Sequence, residues 1–131
     1  MLSQLNKGSR WLYDFGPLLL WLGLIFWLSS RSTLVEIESQ AWERVIYKSA
    51  HMGVYAVLAW LWWRALASPR QATWPVLLLA LGLTILYGIS DEIHQRLVPG
   101  RHGQIADVLF DAGGALAMVL LIRRVSWLRR Q

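Results

Sequence analysis

The sequence predicts an all-α membrane protein, a bundle of four transmembrane helices with both termini cytoplasmic. Three observations predict it. The 131 residues are 56% hydrophobic, too apolar for a soluble domain of that length. Four separate stretches approach the ~20 apolar residues that cross a bilayer. Lys and Arg fall mostly on alternate connections, as they do where cytoplasmic loops collect positive charge.

The four segments are residues 12–28, 45–65, 74–89 and 105–122, and together they form a single domain covering 1–131. The first follows Lys7 and Arg10 but has no small-x-small cleavage pattern after "LIFWLSSRS", so it is expected to be an uncleaved helix rather than a signal peptide. A longer connection follows it. In that connection "VEIESQAWERVIYKSAH" has apolar residues at near-helical spacing, which predicts a short interfacial helix leading into the second segment. Between the second and third segments, "ASPRQATWP" is a tight turn with Pro69 as a stop and Pro75 at a start. Residues 91–96 can continue the third helix, Pro99 and Gly100 make a turn, and the last helix starts near Gln104.

Charge placement gives the orientation. Lys7, Arg10, Arg64, Arg70, Arg123, Arg124, Arg129 and Arg130 group on one side of such a chain. Arg31, Arg44, Arg96 and Arg101 group on the other, diluted by Glu36, Glu38, Glu43, Asp91 and Glu92. The net charge of +5 is therefore explained by topology, and no nucleic-acid partner is expected. The basic end "RRVSWLRR" suits anionic inner-leaflet lipid. Trp11, Trp60, Trp62, Trp63, Trp74 and Trp127 cluster toward the predicted inner ends, at headgroup level, with Trp42 toward the outer one. With no cysteine, disulfides, thiol catalysis and Cys-based metal sites are excluded.

Against this apolar background the polar residues form stripes. Lys48, His51 and Tyr55 are spaced three and four apart, which puts them on one face of the second helix. Asp91 and Gln95 repeat the spacing on the third helix, and Asp107 and Asp111 on the fourth. An ionised side chain within a membrane costs ~2.5–3.5 kcal/mol even on the lenient insertion scale, so these stripes are expected to face a protein interior or wet cavity. The expectation is an outward-facing polar site where Lys48 or Arg101 meets Asp107 and Asp111. His94 and His102 read as loop residues. Gly113 and Gly114, with Ala106, Ala112, Ala115 and Ala117, read as a close-packing face.

Three functions fit these residues. Arg101, Lys48 and Arg96 can hold a phosphate or carboxylate head group, Arg with a bidentate fork and Lys as a point charge. His51, Asp91, Glu92, His94 and Asp107 carry donors for a metal-dependent hydrolase acting on lipid head groups, although no H-E-x-x-H spacing occurs. A proton-relaying transporter is the third, and so small a bundle would then work as a homo-oligomer. The alternative without chemistry is a membrane scaffold whose charges only brace the helices. No particular metal or cofactor follows from the sequence.

The run "SDEIHQRLVPGR" at 90–101, with "DVLFDAGG" at 107–114 and "KSAHMGVY" at 48–55, resembles the VanZ-like family over nearly the whole chain; the first helix matches only in hydropathy. The resemblance implies a small multi-pass protein of the bacterial inner membrane and an envelope role linked to teicoplanin sensitivity. Its signature positions here are Lys48, His51, Tyr55, Ser90, Asp91, Glu92, His94, Gln95, Pro99, Gly100, Arg101, Asp107, Asp111 and Gly114. Many relatives carry Asn where this chain has Asp111 and Gly where it has Met118. The family name supplies no reaction. Residues and resemblance together lead to an expected partner among membrane lipids or lipid-linked envelope precursors, with Asp91, Glu92, His94, His51 and Asp107 as candidate catalytic groups. Lys48, Tyr55, Ser90, Gln95, Arg101 and Asp111 are the candidate ligand-binding groups.

Overall fold

In a computed structural model of the chain, residues 7–31, 40–67, 71–100 and 104–129 are described. These contain helices α1 (Lys7–Ser29), α2 (Gln40–Leu66), α3 (Trp74–Leu97) and α4 (Ile105–Leu128). Several expectations lie outside the described residues: Arg101 and His102, the residue 32–39 part of the proposed interfacial helix, and Pro69 with Arg70. The part of that segment from Gln40 onward is the start of α2 itself, continuous with the rest of the helix.

The third helix takes up the expected continuation through 91–96. α3 runs on to Leu97, because Ser90–Leu97 carries no helix breaker until Pro99. His94 is therefore a helical residue in the last turns of α3, not a loop residue. The turn beyond ends at Gly100, whose φ of 80° is left-handed and suits a residue without a Cβ. At the other end Pro75 occupies the first turn of α3, where its missing N–H costs nothing.

Among the described residues, three helical segments are long and apolar enough to cross a membrane: Trp11–Ser29, Trp74–Leu97 and Ile105–Leu128. α2 has the length, at 27 residues, but Gln40, Glu43, Arg44, Lys48 and His51 dilute its first half. It packs instead against all three of the others, most extensively against α4, while α1 leans on α2 and touches α3 more lightly. A helix sheltered on several sides does not have to be apolar all round.

Polarity is arranged inside out. Leu20, Leu86, Leu97, Ile105 and Leu109 are each at least 64% exposed, whereas Asp91, Glu92, Gln95 and Asp111 are each at most 6% exposed. Such a surface suits lipid rather than water. One apolar cluster joins α1 to α2 through Leu18, Ile25, Tyr55, Leu58 and Leu61. A second joins Ala72 and Leu77 to Val119 and Ile122 of α4. Gly114 marks the closest approach of α2 and α4, since a Cβ there would strike the backbone carbonyl of Met52. Of the expected small-residue face only Gly114 and Ala115 are buried; Ala106 and Ala117 are exposed.

Polar side chains stitch α1 to the others. Pro17 lies inside α1 and has no N–H to give the carbonyl of Tyr13, four residues before it. Arg64 of α2 fills that vacancy, donating Nη2–H to Tyr13 O at 2.9 Å. Trp21 donates its indole N–H to Val54 O at 3.1 Å, and Tyr87 its hydroxyl to Leu22 O at 2.7 Å.

Candidate functional site

The helix period carries His51 and Tyr55 of α2, Asp91, Glu92 and Gln95 of α3, and Asp107 and Asp111 of α4 toward one end of the bundle, where α1 finishes at Ser29. Two hydrogen-bonded groups form there. His51 Nδ1 lies 3.2 Å from Asp111 Oδ1, joining α2 to α4. Tyr55 donates its hydroxyl to Asp91 Oδ2 at 3.1 Å, joining α2 to α3. The same oxygen accepts from Gln95 Nε2 at 2.9 Å, and that amide also reaches Ser29 Oγ at 3.5 Å. The rings of His51 and Tyr55 stack at 6.3 Å, so the two groups adjoin.

Gly88 makes room for them. A Cβ on it would come within 3.2 Å of the Tyr55 ring and 3.7 Å of Asp111 Oδ2. Any larger residue would push into the space these side chains share.

Glu92 is the exception to this pairing. It is 4% exposed, and among the described residues neither carboxyl oxygen has a hydrogen-bond partner. Asp91, Asp107 and Asp111 all lie within electrostatic reach of it. Asp107 sits in the first turn of α4, half-buried, where a negative charge favours the helix start. Buried polar groups are nearly always paired, so an orphan carboxyl beside three others marks a place for a further partner: a proton, a cation or a hydrogen-bond donor.

The remaining expected residues are placed elsewhere. Lys48 is on the predicted stripe, but its Nζ stands 4.5 Å over the ring of Phe110, a cation–π contact rather than an ion pair with Asp107 or Asp111. His94 turns toward α1, stacking on Phe26 at 4.6 Å with Nε2 3.0 Å from Ser30 Oγ. Ser90 is exposed and bonds back to Tyr87 O at 2.8 Å, within its own helix. Arg96, one turn beyond Glu92 on the same helix, is exposed. Of the candidates, then, His51, Tyr55, Asp91, Gln95 and Asp111 are directly connected, with Glu92 and Asp107 beside them.

Sequence reasoning missed Ser29, Gly88 and Phe110. Gly88 had a signal, a lone glycine in the polar turn of an apolar helix. Ser29 and Phe110 had none, because their roles depend on which neighbour faces them. Among the described residues no group of three or more His, Asp or Glu side chains converges as a metal site.

A model of the VanZ/LLP1 family matches residues 15–128, which contain every element of the polar cluster. No curated protein and no solved structure matches the chain. The match covers most of α1 and all of α2, α3 and α4, and it agrees with the motifs at 48–55, 90–101 and 107–114: the chain belongs to the VanZ/LLP1 family, as a helical protein with membrane-spanning character.

Proposed function

We propose that the protein is a multi-pass protein of the bacterial inner membrane that binds or modifies an anionic lipid or lipid-linked envelope precursor at this polar end, and so influences sensitivity to teicoplanin. The observation that carries the reading is the buried carboxyl of Glu92, which has no hydrogen-bond partner among the described residues although Asp91 and Asp111 beside it do. A head group rich in O–H and N–H donors would complete Glu92, while its phosphate would draw Lys48 off the Phe110 ring and take the guanidinium of Arg101. Buried Asp91 and Asp111, held by Tyr55, Gln95 and His51, would keep the cavity walls fixed meanwhile.

The His51–Asp111 pair favours a second reading, chemistry on that ligand. A carboxylate bonded to Nδ1 fixes the ring and leaves Nε2 as the nitrogen that can exchange a proton. The route to either reading is native mass spectrometry with metal analysis on the gently solubilised protein. Wild type is expected to retain a phosphorylated lipid whose occupancy falls about tenfold or more on Lys48→Ala with Arg101→Ala, each charge-assisted hydrogen bond contributing about 1.5–3 kcal/mol. A wild type that keeps no anionic lipid overturns the proposal. A stoichiometric divalent ion would favour the hydrolase.

The topology in this reading is four spans with both termini cytoplasmic, α2 crossing as a helix sheltered by its neighbours. Its support is that Arg64, Arg123 and Arg129 share one end of the bundle, as the positive-inside tendency asks. Because the chain has no cysteine, Arg96→Cys and Arg124→Cys, both exposed positions, can each be labelled alone with an impermeant maleimide. Arg96→Cys is expected to react from outside intact cells and Arg124→Cys only after lysis. Reaction of both from one side would end the four-span arrangement.

A further inference from the structure

The other end of the bundle has a concavity of its own. A cleft of about 940 Å³ opens there between α2, the α2–α3 connection and α4, with Tyr13 of α1 at its lip. That volume falls within the ~300–1,000 Å³ typical of ligand sites. Its floor is an apolar wall of Met118, Leu121, Ile122 and Val125, and its rim holds Arg64, Ser126 and Arg129. None of the lining residues is acidic.

Arg64 is set in place before any ligand arrives. Its guanidinium bonds the carbonyl of Tyr13 at 2.9 Å and lies 4.6 Å over the Tyr13 ring and 5.9 Å from the Trp60 ring. A guanidinium has five N–H donors, so one bond leaves most of its fork available, with little side-chain freedom left to lose on binding. Arg129 extends from the end of α4, exposed, at the same rim. Arg123 and Trp74 continue the basic and aromatic band beside it, 5.3 Å apart.

We infer that this cleft is a second lipid site, one that selects an anionic phospholipid by placing its phosphate between Arg64 and Arg129 while an acyl chain lies along Met118, Leu121, Ile122 and Val125. Charge complementarity and the shape of the wall together choose the occupant. A free phosphate would satisfy the arginines and leave the greasy floor uncovered, and a zwitterionic lipid would cover the floor but bring its own cation to the rim. The site is at the opposite end from Glu92 and shares no residue with that cluster.

The test is photo-crosslinking in phosphatidylcholine nanodiscs doped with phosphatidylglycerol carrying a diazirine in its acyl chain, compared with phosphatidylcholine bearing the same diazirine. Mapping the adducts by proteolysis keeps the readout local to this cleft. Adducts between Met118 and Arg129 are expected to favour the glycerol lipid about fivefold for each arginine engaged. Arg129→Gln, at an exposed helix end, should lose one such factor, and Arg64→Gln with Arg129→Gln should bring both lipids to the same yield. Equal labelling of wild type by both lipids overturns the inference, as does a preference that survives the double substitution. So does a preference abolished by excess inorganic phosphate, which would make the site one for the free ion.

Discussion

Glu92→Leu is expected to make the protein more stable and to remove its ligand. The side chain is buried without a hydrogen-bond partner among the described residues, with three further carboxyl groups nearby. Leaving such a group unsatisfied costs about 1–3 kcal/mol, and replacing buried ionic groups with apolar ones of similar volume is often stabilising. Unfolding followed in mild detergent should therefore show a gain of about 1–3 kcal/mol for Glu92→Leu. Retention of the phosphorylated lipid, read by native mass spectrometry, should fall to background. Asp91→Leu should behave in the opposite way, because it strands the Tyr55 hydroxyl and the Gln95 amide together. A Glu92→Leu protein that is less stable than wild type would mean that the carboxyl is a structural brace, and the reading of a site awaiting a ligand would fall with it.

Gly114→Ala is expected to be among the most damaging single-methyl changes in the molecule. The new Cβ would meet the carbonyl of Met52, and neither backbone has a rotamer with which to yield. Adding a methyl to a packed core usually costs about 1–3 kcal/mol. Here α2 and α4 must separate, so a loss at or above about 3 kcal/mol is expected in the same unfolding measurement. The damage should spread to function, since Met52 adjoins His51 and the separation lengthens the 3.2 Å contact to Asp111. Gly113→Ala is the matched control: nothing lies within 4 Å of a Cβ there, and it should be nearly neutral. Equal tolerance of both substitutions would show that the two helices do not cross so closely.

How much of this was readable beforehand follows from what a helical period does and does not determine. Spacings of three and four put Lys48, His51 and Tyr55 on one face, and likewise Asp91 with Gln95 and Asp107 with Asp111. They also marked an apolar chain with a polar interior. The period leaves open the rotation and register of one helix against the next. Consequently His51 taking Asp111, Tyr55 taking Asp91, and Lys48 turning to Phe110 rather than to a carboxylate were all out of reach. Adjacent Asp91 and Glu92 look equivalent in a string of letters, yet among the described residues one receives two hydrogen bonds and the other none. His94 appeared to belong to a loop because the sequence puts a proline and glycine soon after it; the helix persisted and turned the ring onto Phe26. Residues 45–65 read as a span on length and apolarity, yet the polar first half of α2 leaves that helix leaning on its neighbours.

That dependence bears on how the molecule is made. α2 emerges from the ribosome carrying His51 and Tyr55, whose partners Asp111 and Asp91 have yet to be synthesised. α1, ahead of it, has at Tyr13 a carbonyl that Pro17 cannot serve and that Arg64, at the end of α2, bonds. In the four-span arrangement proposed above, the first two helices complement one another as a hairpin, which would favour their entering the bilayer as a pair. The polar face of α2 then has to wait at the insertion machinery, or at a wet interface, until the second hairpin arrives to cover it. On that arrangement, chains truncated before α4 lack Asp111 as the partner of His51 and should be cleared from the membrane quickly.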